Sequence, residues 1–165
     1  MEMNNEWVKD PKVFNINREK AHASIHRYAS LEDMHTNKSS YIYSLNGKWK
    51  FHYANGFNQL IKDFFNKDYN SDNWDEINVP GHIQLQGYGT PMYVNQIYPW
   101  SAIEQIIPGE IPEHNPIGSY ITYFDKSVIK DNTDVYITFK GVESAMDLWV
   151  NGTFVGYSED TFTPS

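Results

Sequence analysis

The sequence contains no cysteine and few basic residues, and each shortage excludes a class of protein. Without cysteine there is no disulfide framework and no thiol chemistry, so the core alone must hold the fold. The 13 lysines and arginines against 21 aspartates and glutamates give a formal charge of −8, with no basic run. Nucleic acids and anionic membranes both require clustered positive charge, so we expect neither as a partner and favour a neutral one.

The amino terminus also lacks an apolar run. Residues 1–11 include Glu2, Glu6, Lys9 and Asp10, a pattern unlike a secretory signal peptide or a membrane span. Together with the absence of cysteine, this pattern predicts a cytoplasmic protein.

What the sequence does contain is a large share of aromatic residues. Aromatics make up 16% of the 165 residues, and hydrophobic residues make up 40%. This length is enough for one domain with a sizeable core and too short for two. Because aromatics are enriched in strands and in ligand-facing surfaces, the composition favours one β-rich globular domain.

Residues 79–100 are dense in glycine, proline and aromatics and carry almost no charge. Glycine and proline fix loops rather than helix or strand interiors, so this stretch predicts a long loop. Flat apolar rings beside amides and hydroxyls suit a neutral polyhydroxylated ligand such as a sugar. The alternative is that the loop only plugs one side of a β-sandwich and its rings are core. Composition leaves both interpretations open.

Residues 48–53 alternate polar and aromatic side chains at the period of a half-buried strand. We expect Trp49, Phe51 and Tyr53 to face the core. A second, short strand is predicted over residues 77–79, since the following proline would end it.

Later segments also predict strands. Residues 120–129 and 134–139 are predicted as two strands joined by a turn at 130–133. The dipeptide Asn151-Gly152 tolerates positive φ at both positions, which predicts a hairpin between residues 146–150 and 153–157. Short strands with turns at this spacing favour a β-sandwich of jelly-roll type.

Residues 1–40 are polar and weakly periodic, with residues 21–28 the only part suited to a helical turn or two, and we predict an extended arm over residues 1–43. Within it, His22 and His26 have the spacing of two ligands on one helical face. Without a third ligand nearby we interpret them as packing and surface residues rather than a metal site. Residues 57–65 have apolar spacing closer to that of a helix.

A series of motifs runs through nearly the whole sequence: Asn17-Arg18 with His22, residues 44–51, Pro80-Gly81-His82-Ile83-Gln84, Gly87-Tyr88, Tyr93-x-Asn95-x-x-Tyr98-Pro99, Ile111-Pro112, residues 115–120, residues 141–145, residues 149–152 and residues 155–158. In these motifs, and in their order, the sequence resembles the amino-terminal domain of the glycoside hydrolase family 2 β-galactosidases. One departure is Ile121-Thr122, where many members have an arginine after the tyrosine.

The resemblance implies a galactose-binding-like jelly-roll domain over residues 44–165, incomplete before its closing strands and preceded by the arm 1–43. It implies that Asn95 contacts a galactose hydroxyl, although a turn-stabilising amide remains the alternative. Possible support for the loop comes from His82, Gln84, Tyr93, Tyr98 and Trp100. It further implies a homo-oligomeric parent enzyme and Mg and Na ions bound mainly outside this stretch.

No catalytic residue is expected within the chain. Retaining glycosidases need two carboxylates about 5 Å apart, and the resemblance places both on a later barrel domain. The glutamates available here are interpreted as solvated or edge residues, so the chain alone is expected to be inactive; they are Glu104, Glu110, Glu113, Glu143 and Glu159. The glycines at 87 and 89 lack the following helix that phosphate binding requires.

Three functions remain open. The first is the sugar-binding domain of a β-galactosidase that hydrolyses terminal β-linked galactose, as in lactose. The second is a free-standing carbohydrate-binding module, and the third is a purely structural piece that assembles the parent enzyme. The long arm and the absence of closing strands favour the first and third. Sandwich edges left uncovered also predict self-association of the isolated chain.

Overall fold

The computed structural model describes residues 6–93, 95 and 98–165. The first five residues of the predicted arm and positions 94, 96 and 97 of the loop lie outside the described residues, so predictions that fall on them stay predictions. The elements are β1 Asn15–Ile16, α1 Leu31–His35, β2 Gly47–Ala54, β3 Asp75–Val79, β4 Ile117–Ile121, β5 Met146–Val150 and β6 Thr153–Ser158.

The six strands form two antiparallel sheets of three strands each. One sheet has the order β1-β6-β5 and the other has the order β3-β2-β4. The predicted all-β sandwich fold is therefore confirmed. The predicted short strand at 77–79 is also present, and it begins two residues earlier at Asp75.

Strand β2 is the centre of the second sheet and lies where the alternating aromatics predicted it. Phe51 is 1% exposed, while Trp49 and Tyr53 are half-buried. Phe51 lies opposite Tyr120 of β4, and their ring centroids are 4.8 Å apart. The core position of Phe51 is confirmed, and its aromatic neighbours come from β4 and from the loop that follows β3.

The two sheets are linked through aromatic rings on the opposite face of β2. His52 lies 5.5 Å from Trp74, and Trp74 lies 5.7 Å from Phe64, measured between ring centroids. Phe64 lies 6.1 Å from Trp149 of β5, and Phe65 stacks on Trp149 at 4.9 Å. Such contacts between rings add to the burial of their apolar area, and they connect the segment before β3 to both sheets.

The predicted hairpin is confirmed. Strands β5 and β6 pair across Asn151 and Gly152, which have φ values of 51° and 79°. Two consecutive residues with positive φ match the twist of the flanking strands, and only asparagine and glycine accept this conformation readily. A bulge interrupts the register between Leu148 and Trp149.

Two strand predictions are wrong. The strand predicted over 120–129 is β4, which ends at Ile121, and residues 126–128 instead form a 3₁₀ turn in which Asp125 accepts a hydrogen bond from the amide of Ser127. Residues 134–139 form no strand. Within them, the described backbone bonds are the reciprocal pair between Phe139 and Ser165, at 2.7 and 2.8 Å. Alternation favours a strand, but a ladder needs a partner along its whole length.

The predictions of helical segments are also wrong. Residues 21–28 are not helical; the helix of the arm is α1, which Ser30 caps by accepting a hydrogen bond from the amide of Asp33. Residues 57–65 contain only the 3₁₀ turn Phe57–Gln59. No helix in the described part of the chain is long and apolar enough to cross a membrane.

The arm contributes a strand and an arginine to the sandwich. Strand β1 pairs with β6, and Arg18, whose side chain is 9% exposed, lies just beyond β1. Its Nη1 donates to Ser158 Oγ at 3.3 Å, and its Nη2 donates to the carbonyl of Pro164 at 3.2 Å. This arginine therefore ties residues 158–164 to the arm. The division into an arm 1–43 and a domain 44–165 stays a prediction.

Asp147 is a half-buried carboxylate on β5, opposite Tyr157 of β6. Its Oδ1 atom is buried and has no hydrogen-bond partner among the described residues. Burial raises the pKa of Asp147 from 3.8 to about 6. Because the folded pKa exceeds the unfolded one, this group's contribution to stability is complete below about pH 4 and is lost as the pH rises through 6.

We expect Asp147→Asn to stabilise the chain at about pH 7.5 and to change little at about pH 4, because the amide has the same shape and no charge. The gain should be about 1–2 kcal/mol after discounting for solvent screening. Urea unfolding at both pH values measures it, with the exposed Asp72→Asn as control. Equal stability of the variant and the unmodified chain at pH 7.5 would contradict this assignment.

Candidate functional site

The uncharged stretch leaves β3 at Val79, and its first part packs on the sheet β3-β2-β4 through Gln86 and Tyr88. A 3₁₀ helix, Ile83–Gln86, is followed by Gly87 and Gly89 with φ values of 97° and 69°. Positive φ at these positions favours glycine, because a Cβ atom is disfavoured there. The glycines turn the chain on either side of Tyr88.

Tyr88 seats the loop on β2. Its ring packs edge to face on Phe51, with centroids 4.6 Å apart, and lies 6.0 Å from the ring of Tyr53. Its hydroxyl donates to Asp75 Oδ2 at 2.9 Å. Burial and the bond to this carboxylate raise the pKa of Tyr88. The phenol therefore stays protonated and serves as a donor at neutral pH.

Gln86 fastens the same end of the loop to β3. Its Oε1 accepts from the amide of Asn78 at 2.8 Å, and its Nε2 donates to the carbonyl of Asn78 at 3.1 Å. A Cβ atom at Gly81 would lie 2.9 Å from the carbonyl oxygen of Asn78 and 2.6 Å from Gln86 Nε2, so a larger residue would displace the backbone or the carboxamide. Close packing around this position therefore explains the glycine in the motif Pro80-Gly81-His82.

The far end of the loop is fastened by Glu104. A 3₁₀ helix, Pro99–Ala102, precedes it, and the amide of Glu104 donates to the carbonyl of Trp100 at 3.0 Å. The two carboxylate oxygens of Glu104 accept from the amides of Glu113 and His114, each at 2.9 Å. Hydrogen bonds to a charged acceptor are stronger than neutral ones.

Between these fastened ends lie the residues that the sequence singled out. Asn95 is exposed at a bend, and Tyr93 and Tyr98 are 85% and 74% exposed. Exposed aromatics beside an exposed amide provide the apolar faces and the polar group that a sugar requires. The role of Asn95 in sugar binding stays a prediction.

The predicted supports of the loop occupy different environments. His82 and Gln84 are exposed, as are Tyr93 and Tyr98, and Trp100 is half-buried. The contacts that fasten the loop to the sheet come from Gln86, Tyr88 and Glu104. The sequence pattern did not single out Gln86. In the sequence, Gln86 is only a glutamine that lies eight residues after a strand residue, and such a spacing is too common to predict a contact.

A shallow groove of about 320 Å³ lies next to the fastened end of the loop. Its lining is rich in amides and carboxylates; the residues are Asn55, Asn58, Gln59, Ile103, Glu104, Glu113 and His114. This volume is at the small end of the range for ligand pockets.

Of the other candidate carboxylates, Glu113 lines this groove together with Glu104. Glu159 accepts a hydrogen bond from the hydroxyl of Tyr157, and Glu110, Glu113 and Glu143 are exposed. The expectation that none of them is catalytic stays a prediction.

The histidines and acidic residues provide no evident metal site. Among the described residues, no group of three or more His, Cys, Asp or Glu side chains is placed to hold a metal ion. His22 and His26 are exposed, and the Nδ1 of His22 lies 2.8 Å from the carbonyl oxygen of Lys20. The expectation that Mg and Na ions bind mainly outside this stretch stays a prediction.

Comparison with known families agrees with this fold and loop. The model of the glycosyl hydrolases family 2 sugar-binding domain matches residues 42–165. The chain therefore belongs to this family, and the resemblance drawn from its motifs is confirmed.

Curated relatives extend the similarity to the whole chain. It is 48% identical over 161 residues to the beta-galactosidase of Halalkalibacterium halodurans, covering 96% of this chain and 16% of that protein. It is 48% identical over 165 residues to the beta-galactosidase of Priestia megaterium, covering 97% of this chain and 16% of that protein. It is 39% identical over 178 residues to the beta-galactosidase large subunit of Leuconostoc lactis, covering 100% of this chain and 28% of that protein. The chain thus spans only a minor part of these relatives.

We expect Tyr88→Ala to destabilise the chain by about 2–3 kcal/mol, because it removes the ring contact with Phe51 and the bond to Asp75. Tyr93→Ala is the matched control in the same loop and should change stability by less than about 0.5 kcal/mol, since that ring is exposed. Chemical denaturation measures both. Similar losses in the two variants would show that Tyr88 does not seat the loop.

Proposed function

We propose that this chain is the sugar-binding domain of a longer β-galactosidase, which hydrolyses terminal non-reducing β-D-galactose residues such as that of lactose. Asn95 contributes a hydrogen bond to a galactose hydroxyl, and the surrounding loop shapes the mouth of the substrate site. Catalytic carboxylates lie on a later barrel domain, and this chain supplies substrate position rather than bond cleavage.

One observation supports this proposal most strongly. Relatives that are 48% identical over nearly the whole chain are named beta-galactosidase. The exposed Asn95 and its exposed tyrosine neighbours lie on a loop whose two ends are fastened to one sheet. A short amide on such a loop loses little conformational freedom when it binds, so its donor and acceptor can be aimed at a hydroxyl.

The apolar surface of the loop also supports contact with other domains of the parent enzyme. Leu85, Met92, Tyr93 and Tyr98 are 47–85% exposed and lie together in sequence without intervening charge. Exposed apolar patches mark interaction sites in soluble proteins. In the proposed enzyme, this surface faces the barrel and closes one wall of the sugar site.

Further properties belong to the proposal on the basis of the family resemblance. The parent enzyme is cytoplasmic and homo-oligomeric, and its Mg and Na ions bind mainly outside this chain. The exposed apolar side chains of the arm, such as Ile25, Leu31 and Tyr41, are available for its assembly.

We expect Asn95→Ala in the longer enzyme to reduce kcat/KM for a chromogenic β-galactoside by about ten- to a hundredfold. This corresponds to the loss of about 1–3 kcal/mol of transition-state binding, since a polar partner is left unpaired. The thermal midpoint should be unchanged, because the side chain is exposed in this domain. Steady-state kinetics and thermal unfolding measure the two quantities.

The matched control is Asn73→Ala, an exposed asparagine in the turn before β3. It should leave kcat/KM unchanged. Wild-type kcat/KM in Asn95→Ala together with a thermal midpoint lower by several degrees would identify Asn95 as a turn-stabilising amide and remove its proposed role.

A further inference from the structure

The loop that carries Asn95 is held at both ends by side chains that bind main-chain groups. We propose that Gln86 and Glu104 are positioning residues, which hold the two ends of the loop and thereby aim Asn95 at its hydroxyl partner. This inference rests on the proposed function and extends it to two residues that contact neither substrate nor reacting atoms.

The first fastening uses the free edge of β3. This strand lies at the edge of the order β3-β2-β4, so one side of its backbone has no neighbouring strand in the sheet. The carboxamide of Gln86 takes both the amide and the carbonyl of Asn78 on that strand. It therefore replaces the pair of bonds that another strand would make. The glycine at 81 leaves the space for it.

The second fastening reaches the end of β2. Glu104 accepts from the adjacent amides of Glu113 and His114. The next amide, that of Asn115, donates to the carbonyl of Asn55 at 3.0 Å, and Asn55 directly follows β2. Residues 113–115 thus connect the carboxylate to the same sheet that Gln86 binds.

The chemistry of each fastening requires its particular side chain. Gln86 must donate with one atom and accept with the other, because Asn78 offers one acceptor and one donor. Glu104 must accept with both oxygens, because it faces two N–H groups. Exchanging amide and carboxylate at either position keeps the size of the side chain and removes one hydrogen bond, since it places two acceptors or two donors opposite each other. Gln86→Glu and Glu104→Gln therefore change the charge and the hydrogen-bonding groups of the side chain with little change in packing.

Two experiments test the proposal. In the first, amide hydrogen exchange is measured on the longer enzyme and its variants. Gln86→Glu and Glu104→Gln should each increase exchange in residues 88–93 and 98–103, while β5 and β6 remain protected. The exposed residues Gln105 and Glu110 provide matched controls, Gln105→Glu and Glu110→Gln, which make the same exchanges without a described side-chain bond and should leave the loop unchanged.

The second experiment is a double-mutant cycle with Asn95 in the longer enzyme. Gln86→Glu or Glu104→Gln should reduce kcat/KM for a β-galactoside about tenfold when Asn95 is present. In the Asn95→Ala background the same substitutions should reduce it by less than about twofold, because their effect passes through Asn95. A merely structural role would give the same loss in both backgrounds.

The outcomes separate this inference from the proposed function. Unchanged hydrogen exchange in the loop, or equal losses of kcat/KM with and without Asn95, overturns the positioning role even if the enzyme is a galactosidase. An unmodified longer protein without galactosidase activity overturns the proposed function and the sugar-directed role together. In that case, the exchange data still decide whether the two side chains fasten the loop.

Discussion

The edge-to-face contact between Phe51 and Tyr88 is the interaction on which the candidate site depends. Phe51 is 1% exposed at the centre of β2, so the ring that packs on it is held by the most buried part of the sheet. Tyr88 belongs to the loop and is flanked by two glycines with positive φ. One ring pair therefore joins the core of the domain to the segment that presents Asn95.

Because adjacent side chains of β2 point to opposite faces, this strand has two structural roles. The face with Phe51 receives the loop, and the face with His52 leads through Trp74 and Phe64 to the other sheet. Both faces are lined by aromatic rings, which accounts for the high aromatic content of a chain of this size. The loop is thus fixed relative to the sandwich by packing, and Gln86 and Glu104 add directional hydrogen bonds at its ends.

Features that depend on neighbouring residues were predictable from the sequence. The alternation in β2 and the Asn151-Gly152 turn both specify their own conformation, and both are present. Residues 134–139 alternate equally well, yet form no strand, because a ladder depends on a partner that the local pattern does not contain. The fastening by Gln86 and Glu104 escaped prediction for the same reason. Their partners are backbone groups, which leave no mark on the sequence.

The most direct test of this account is a crystal structure of the longer enzyme with a bound galactose-based inhibitor. We expect the loop to remain seated through Tyr88, with the carboxamide of Asn95 at a hydrogen-bonding distance of about 2.7–3.2 Å from a sugar hydroxyl. A sugar bound with Asn95 pointing away from it, or with the loop detached from Phe51, would contradict the account.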